Sequence, residues 1–206
     1  MIAIVIALTL LVIAALNYPG GSQYDKNSVG YDWKNNYISN LFGEKAMNGL
    51  HSGSRFWAAA GMLFLCGGCT LFFIEFSKKI PEKGPAKIIR YFGAGGMLCA
   101  FLAVTPYHDI MVTIASTMAL VSMFYVTVFI LKARLYLFSI LSVVCLLVFY
   151  VAEYVYYTST HLEYLPVLQK ATLAITVAWI LCLHYFTAAA DFEPGAKVEK
   201  VPYESP

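Results

Sequence analysis

The sequence predicts an all-α fold: a polytopic membrane protein with a six-helix transmembrane bundle and an interfacial loop or helix on its outer side. Two observations support this prediction. Of the 206 residues, 60% are hydrophobic and 13% are charged, whereas soluble domains carry about 25% charged residues. The apolar residues form six long runs, and a soluble protein of this size has no core large enough to hide them. Lipid is therefore the expected solvent.

The six predicted spans follow one another from the first residue and form one transmembrane domain over residues 1–190. The first run is short, about 24 Å as a helix, and it lacks the basic start of a signal peptide. Pro106 ends the third span and Pro166 suits the start of the sixth. The predicted spans are residues 1–17, 55–76, 88–104, 109–131, 135–157 and 167–189, followed by a flexible cytoplasmic tail over residues 191–206.

Small residues inside the spans predict close helix packing. The third span offers a face of Gly93, Gly95, Gly96 and Ala100, and small faces let two helices approach closely in lipid. All five cysteines also lie inside apolar runs. We interpret them, including the C-x-x-C pair Cys66 and Cys69, as packing residues rather than as a disulfide framework or a redox motif.

Basic residues orient the predicted bundle, because lysine and arginine concentrate in cytoplasmic loops. One end of the bundle and the tail hold nine of the 14: Lys78, Lys79, Lys83, Lys87, Arg90, Lys132, Arg134, Lys197 and Lys200. The other end holds five: Lys26, Lys34, Lys45, Arg55 and Lys170. The sequence therefore predicts that both termini are cytoplasmic, and that residues 21–54, the segment around Pro106 and residues 158–165 face outward.

Residues 21–54 form the longest polar region, and loops of this length are uncommon unless they are functional. Within it, residues 33–42 are predicted to form a short interfacial helix. Ile38, Leu41 and Phe42 are spaced by three and one, so they make one apolar face of such a helix. We expect residues 36–43 to fold back over the outer mouth of the bundle, beside His108 and Asp109, where polar helix ends need partners.

Ionisable side chains gather at the predicted outer ends of the spans. The central segment is Thr105-Pro106-Tyr107-His108-Asp109, which separates the third span from the fourth. A charge inside a span is costly and usually faces the bundle interior or water, which singles out Glu153 and Lys170, each about one turn inside its span. The candidate ligand-binding residues are His51, Arg55, His108, Asp109, Glu153, His161 and Lys170.

Two interpretations of this set stay open. In the structural one, Arg55 and Lys170 extend to lipid headgroups, Glu153 pairs with Lys170, and Asp109 caps its helix. In the other, the set lines a ligand or metal pocket under residues 21–54. Zinc is the metal that such nitrogen and carboxylate donors suit, and no other cofactor is predicted. The candidate zinc ligands are His51, His108, Asp109 and His161.

The segment Tyr37-Ile38-Ser39-Asn40-Leu41-Phe42-Gly43, placed after a first span, resembles the Y-I-S-D-L-G element of a bacterial family of six-span membrane proteins of unknown function. That family is distantly similar to proteins of the DRAM/Sfk type, in which a proline and a histidine recur near the outer start of the fourth span, as Pro106 and His108 do here. Asn40 replaces the acidic residue of the element, and Phe42 is inserted before Gly43. The resemblance implies six spans and an important first outer loop, and it implies no reaction.

Together these features predict a multi-pass protein of the plasma membrane, the inner membrane of a bacterium. We expect a non-catalytic protein: an accessory subunit of a membrane complex, or a binder of a lipid or small molecule at the extracytoplasmic mouth. The alternative is a metal-dependent membrane hydrolase that acts on a lipid at the outer face, with its metal near His108. The expected partners are the lipid bilayer and other membrane subunits. The net charge of +2 gives no reason to expect nucleic acid as a partner.

Overall fold

The computed structural model describes residues 1–193, and over these residues the fold is all α. Six helices follow the six apolar runs, and the only β pairing in the described part of the chain is two isolated bridges. The helices are α1 Ile2–Leu16, α2 Ser54–Ser77, α3 Lys83–Leu102, α4 His108–Lys132, α5 Tyr136–Thr158 and α6 Leu165–Phe186. The predicted all-α class is thus confirmed.

Four segments are long and apolar enough to cross a membrane: Ser54–Ser77, His108–Lys132, Tyr136–Thr158 and Leu162–Phe186. The last of these is α6 together with the short 3₁₀ turn before it. Helix α1 is as apolar but has only 15 residues. Helix α3 has 20 residues, but Lys83, Lys87 and Arg90 lie in its first turns. The four apolar segments indicate a membrane protein.

The third and sixth helices differ most from their predicted bounds. Helix α3 begins at Lys83, five residues before the predicted span, because Pro85 lies in its first turn, where a missing N–H costs nothing. It ends at Leu102 rather than at 104. Helix α6 begins at Leu165 with Pro166 in its first turn and ends at Phe186, three residues early. The backbone is extended at Thr187 and Ala188 before it enters the 3₁₀ turn Ala189–Phe192.

The start of the predicted flexible tail is instead packed against the bundle. Phe192 is buried, and its ring lies 5.5 Å from that of Phe76. The Lys79 ammonium donates to the backbone oxygen of Thr187 at 2.8 Å and to its hydroxyl at 3.1 Å, and a cation suits the carbonyls at a helix C-terminus. Burial lowers the pKa of Lys79, and Asp191 opposes that shift. Residues 194–206 of the predicted tail lie outside the described residues.

Close helix contacts occur where the sequence offers small residues. Gly93 and Gly96 are buried. A Cβ on Gly93 would lie 2.2 Å from the Phe73 ring, and one on Gly96 would lie 3.2 Å from the Ala115 carbonyl oxygen. The small face predicted on the third span is therefore used, with Gly93 against α2 and Gly96 against α4. A second close contact joins α1 to α2 at Gly68, where a Cβ would lie 2.9 Å from Ile4.

Candidate functional site

The α1–α2 loop, residues 17–53, is folded around one buried amide. Asn36 has 0% exposure; its Nδ2 donates to the Gly21 carbonyl at 2.9 Å, and its Oδ1 accepts the Asp32 amide at 3.0 Å. The Tyr18 hydroxyl accepts the Met47 amide at 2.9 Å, and burial raises the pKa of this phenol. Every polar atom of the Asn36 side chain thus has a partner within the loop, so the loop has a defined structure.

The predicted apolar face of this loop is confirmed. Ile38–Phe42 form a 3₁₀ helix rather than a longer interfacial helix. Leu41 is 2% exposed, and Ile38 and Phe42 pack with it against a cluster of small and aromatic residues from α1, α2 and the loop itself. The Ser54 hydroxyl at the start of α2 donates to the Leu41 carbonyl at 2.8 Å. The loop is thereby attached to the end of α2.

Two side chains on the second turn of α6 hold the other side of the loop. The Lys170 ammonium donates to the backbone oxygens of Asn36 and Pro166 and lies 5.6 Å from the centre of the Tyr31 ring. Gln169 accepts the Ile38 amide at 2.7 Å. Both are long-range contacts, so α6 and the loop cannot separate without breaking them.

Two expectations about this region are wrong. Lys170 does not pair with Glu153: no ion pair within 4.0 Å joins them in the described part of the chain, and the ammonium is occupied by backbone carbonyls. Residues 36–43 also do not lie on the start of α4 beside His108 and Asp109. Their contacts run to α2 and α6, because those helices offer both the apolar surface and the polar partners that the loop requires.

His108 and Asp109 instead form a surface group with α5. The His108 ring nitrogen Nδ1 lies 3.0 Å from an Asp109 carboxylate oxygen, and the Tyr156 hydroxyl donates to the same oxygen at 3.1 Å. The Asp109 side chain is 87% exposed. This group joins the first turn of α4 to the last turns of α5 at the loop end of the bundle, the end that carries the α1–α2 loop.

A second polar group lies deeper between the same two helices. Glu153 of α5 is partly buried, and the Ser116 and Tyr157 hydroxyls lie near enough to its carboxyl group to interact with it. Those hydroxyls lie 3.4 Å from each other. The Glu153 oxygen Oε2 is buried and has no hydrogen-bond partner among residues 1–193. We call Ser116, Glu153 and Tyr157 the α4–α5 cluster.

Hydrogen-bond donors are scarce in the α4–α5 cluster. A carboxylate offers about four acceptor positions, and each hydroxyl has a single proton to donate. Ser116 also lies 3.2 Å from the Thr113 carbonyl oxygen, which competes for its proton. Burying a carboxylate without donors costs several kcal/mol, so an additional donor at this position would stabilise the ionised form of Glu153.

The neighbouring helix α6 has a similar group at nearly the same level. The Thr172 hydroxyl is buried without a partner in the described chain. Two contacts set the antiparallel register of α5 and α6: Trp179 donates to the Ser142 hydroxyl at 2.8 Å, and Cys145 lies 3.6 Å from the Thr176 hydroxyl. This register places Thr172 one turn deeper in the bundle than Glu153.

An apolar groove begins where the α4–α5 cluster ends. It has a volume of about 510 Å³ and opens on the side of the bundle, between α4 and α5. Tyr150, which lines it, is one turn below Glu153, and Leu120, which also lines it, is one turn below Ser116. The groove is lined by Leu120, Val121, Phe124, Tyr125, Leu146, Leu147 and Tyr150.

The remaining candidates lie apart from this groove. His51 pairs with Lys45 in an isolated bridge of the α1–α2 loop, Arg55 is exposed at the start of α2, and His161 lies 3.4 Å from Glu163 in the α5–α6 turn. Among residues 1–193, no three His, Cys, Asp or Glu side chains are placed to share a metal ion. Of the four candidate zinc ligands, His108 and Asp109 lie side by side, but neither His51 nor His161 joins them in a group of three.

Sequence reasoning found Glu153 but missed the hydroxyl groups around it. Ser116, Tyr156 and Tyr157 were not among the candidate residues predicted from the sequence. The available signal was helical spacing: Tyr150, Glu153 and Tyr157 recur at three and four residues, which places them on one face of α5.

Comparison with known proteins adds no relative. No protein-family model matches the chain, and the searches of curated proteins and of solved structures found no match. The function is therefore inferred from the residues of the site.

Proposed function

We propose that this protein is a multi-pass membrane protein that binds an amphiphile between α4 and α5, with the polar head at the α4–α5 cluster and an alkyl chain in the groove. One observation carries the proposal: a buried Glu153 oxygen, which has no hydrogen-bond partner among residues 1–193, lies on α5 about one turn above an apolar groove of about 510 Å³. An unpaired polar group in hydrocarbon is costly. A ligand with a polar head and an apolar chain satisfies both parts of this surface.

The proposal includes six spans, with both termini in the cytoplasm and the loop end of the bundle facing outward. Two arguments support it: the excess of Lys and Arg at the end opposite the loop, and the resemblance of residues 37–43 to the six-span family described above. With the loop end outward, Glu153 lies about 8 Å inside the outer end of α5. That depth is where the head of an outer-leaflet lipid meets its chains.

Cysteine labelling tests the orientation. Asn27 in the α1–α2 loop and Lys83 at the start of α3 are exposed at opposite ends of the bundle. In a cysteine-free background, we expect a membrane-impermeant maleimide applied outside to label Asn27→Cys and not Lys83→Cys. Labelling of Lys83→Cys alone would reverse the orientation, and labelling of both from outside would contradict the odd number of spans between them.

Ligand retention tests the binding function. The protein purified in mild detergent is expected to carry an amphiphile detectable by native mass spectrometry. Leu147→Trp fills the groove with a larger side chain and should lower retention at least tenfold, because the chain no longer fits. Leu137→Trp is the matched control, since Leu137 is 76% exposed on α5 and does not line the groove. Equal retention by the two variants would refute the groove as the binding site.

A further inference from the structure

The charges around the groove select among amphiphiles. Two carboxylates lie above the groove: Glu153 is about one turn above Tyr150 on α5, and Asp109 is about three turns above Leu120 on α4. Each of them lies beside a tyrosine hydroxyl of α5. His108 contacts Asp109 and not Glu153. The ammonium of Lys170 faces the carbonyls of the α1–α2 loop. The described side chains thus present acidic groups and phenol oxygens to a bound head group, with one histidine at the surface.

A head group that binds at the α4–α5 cluster must supply hydrogen-bond donors to Glu153. The Ser116 and Tyr157 hydroxyls have one proton each, and the Glu153 oxygen Oε2 receives neither. A head that ends in a phosphate or carboxylate and carries no N–H group would add acceptors and negative charge without supplying the missing donor. A primary ammonium brings three N–H donors and the opposite charge, and charge-assisted hydrogen bonds are the strong ones.

The aromatic residues of α5 suit the same head group. Tyr150, Tyr154 and Tyr157 lie on the last turns of this helix, around Glu153, and Tyr150 and Tyr157 flank it at three and four residues. The faces of tyrosine rings attract cations. Anionic and aromatic surroundings at one point of the membrane surface therefore favour a cation over a neutral or anionic head.

From these contacts we propose that the ligand of the α4–α5 groove is an amphiphile with a primary ammonium head, which ion-pairs with Glu153 while its chain occupies the groove. This rests on the binding function proposed above and names its ligand class. Such a head occurs on single-chain alkylamines and on phospholipids with an ethanolamine head. In both, the ammonium supplies the donor that Glu153 lacks.

A pair of photoactivatable probes tests the ammonium directly. Both carry the same alkyl chain with a diazirine; one ends in a primary amine and the other in its N-acetyl amide, which has no charge. The full-length protein in detergent should crosslink to the amine probe with at least tenfold higher apparent affinity, at residues of the groove. Glu153→Gln should abolish that preference, and Glu163→Gln, an exposed carboxylate in the α5–α6 turn, should leave it intact.

The outcomes separate the ligand class from the binding function. If both probes crosslink equally in the groove, or if Glu153→Gln loses both equally, the proposed ammonium head is wrong while the binding function stands. If neither probe crosslinks in the groove, the binding function itself is refuted. Glu153→Asp keeps the charge and should retain a preference for the amine, which guards against misfolding of the glutamine variant.

Competition by unlabelled ligands identifies the source of the head group. Displacement of the amine probe by dodecylamine, by a short-chain phosphatidylethanolamine or by both supports the ammonium and says which molecule carries it. Displacement by neither, or equal displacement by the N-acylated phospholipid, contradicts it.

Discussion

The second turn of α6 and the last turns of α5 each place one ionisable side chain five residues inside a helix, yet the two side chains have opposite surroundings. Lys170 donates to two backbone carbonyls and faces an aromatic ring. Glu153 contacts two hydroxyls and keeps one buried oxygen without a partner in the described chain. Lys170, whose hydrogen bonds are completed by backbone carbonyls, stabilises the fold. Glu153, which is short of donors, is suited to bind a ligand that supplies them.

The loop side of this comparison depends most on Asn36. Asn36→Ala removes the donor to Gly21 and the acceptor for Asp32, and it leaves those buried groups unpaired. We expect the loop to lose about 3 kcal/mol of stability. This loss corresponds to a rise of roughly 100-fold in the rate of amide exchange at Asp32 and Ile38. Asn27→Ala is the control, because Asn27 is exposed. A rise below threefold would show that the loop is held by something other than its buried amide.

Lys170→Met tests the contact between the loop and α6. Methionine matches the lysine stem but donates no hydrogen bond to the Asn36 and Pro166 carbonyls. The expected loss is about 2 kcal/mol, smaller than for Asn36 because the Tyr31 hydroxyl still donates to the Asn36 carbonyl at 3.2 Å. Hydrogen exchange at Ile38 measures it. Lys34 is an exposed lysine of the same loop, and Lys34→Met should not change exchange at Ile38. If Lys34→Met raises this exchange as much as Lys170→Met does, the hydrogen bonds of Lys170 do not hold the loop.

Glu153→Gln should behave in the opposite way to both loop variants. Since Glu153 is short of donors, replacing its carboxylate with a neutral amide of the same shape removes a cost rather than a bond. Thermal unfolding in detergent, after removal of bound amphiphile from both proteins, should report a free energy of unfolding within about 1 kcal/mol of the wild-type value, with any change towards stability. A loss of the size expected for Asn36→Ala would mean that Glu153 has structural partners.

The smallest expected effect is the pH response of the loop. Burial opposes ionisation of Asp32, but the Asn35 side chain, the Lys34 and Asn35 amides and the charge of Lys170 outweigh it and lower the pKa of Asp32. A lowered pKa in the folded state stabilises the loop above the unfolded pKa of about 4, and this contribution is lost as the pH falls through the folded value. The protection of the Asn35 amide, which is the intrinsic exchange rate at the same pH relative to its observed rate, should therefore fall below about pH 4. Asp32→Asn should show no such loss of protection.

The sequence predicted most of the fold and only part of the site. Six apolar runs gave six helices, and the spacing of Ile38, Leu41 and Phe42 gave the packed face of the loop. The partner of Lys170 was not predictable from side chains, because it is a backbone carbonyl 134 residues away.

The position of the loop and the hydroxyls beside Glu153 could not be predicted from the sequence for one common reason. Proximity to His108 was expected because both segments are polar and lie at one end of the bundle, but helix neighbours decide which polar ends meet. Ser116 and Tyr157 are 41 residues apart, and their meeting beside Glu153 depends on the register of α4 against α5. Hydropathy fixes that register only to within a turn.

Stability and ligand retention, measured together in Asn36→Ala and Glu153→Gln, test the central claim most directly. Bound amphiphile is counted per folded molecule by native mass spectrometry, and each variant is unfolded thermally in a second sample from which the amphiphile has been removed, because a bound ligand would itself add stability. We predict that Asn36→Ala unfolds more easily and retains the wild-type amount, while Glu153→Gln unfolds like the wild type and retains at least tenfold less. If Glu153→Gln is the destabilised variant and keeps its amphiphile, the two regions have the reverse roles and the claim is wrong.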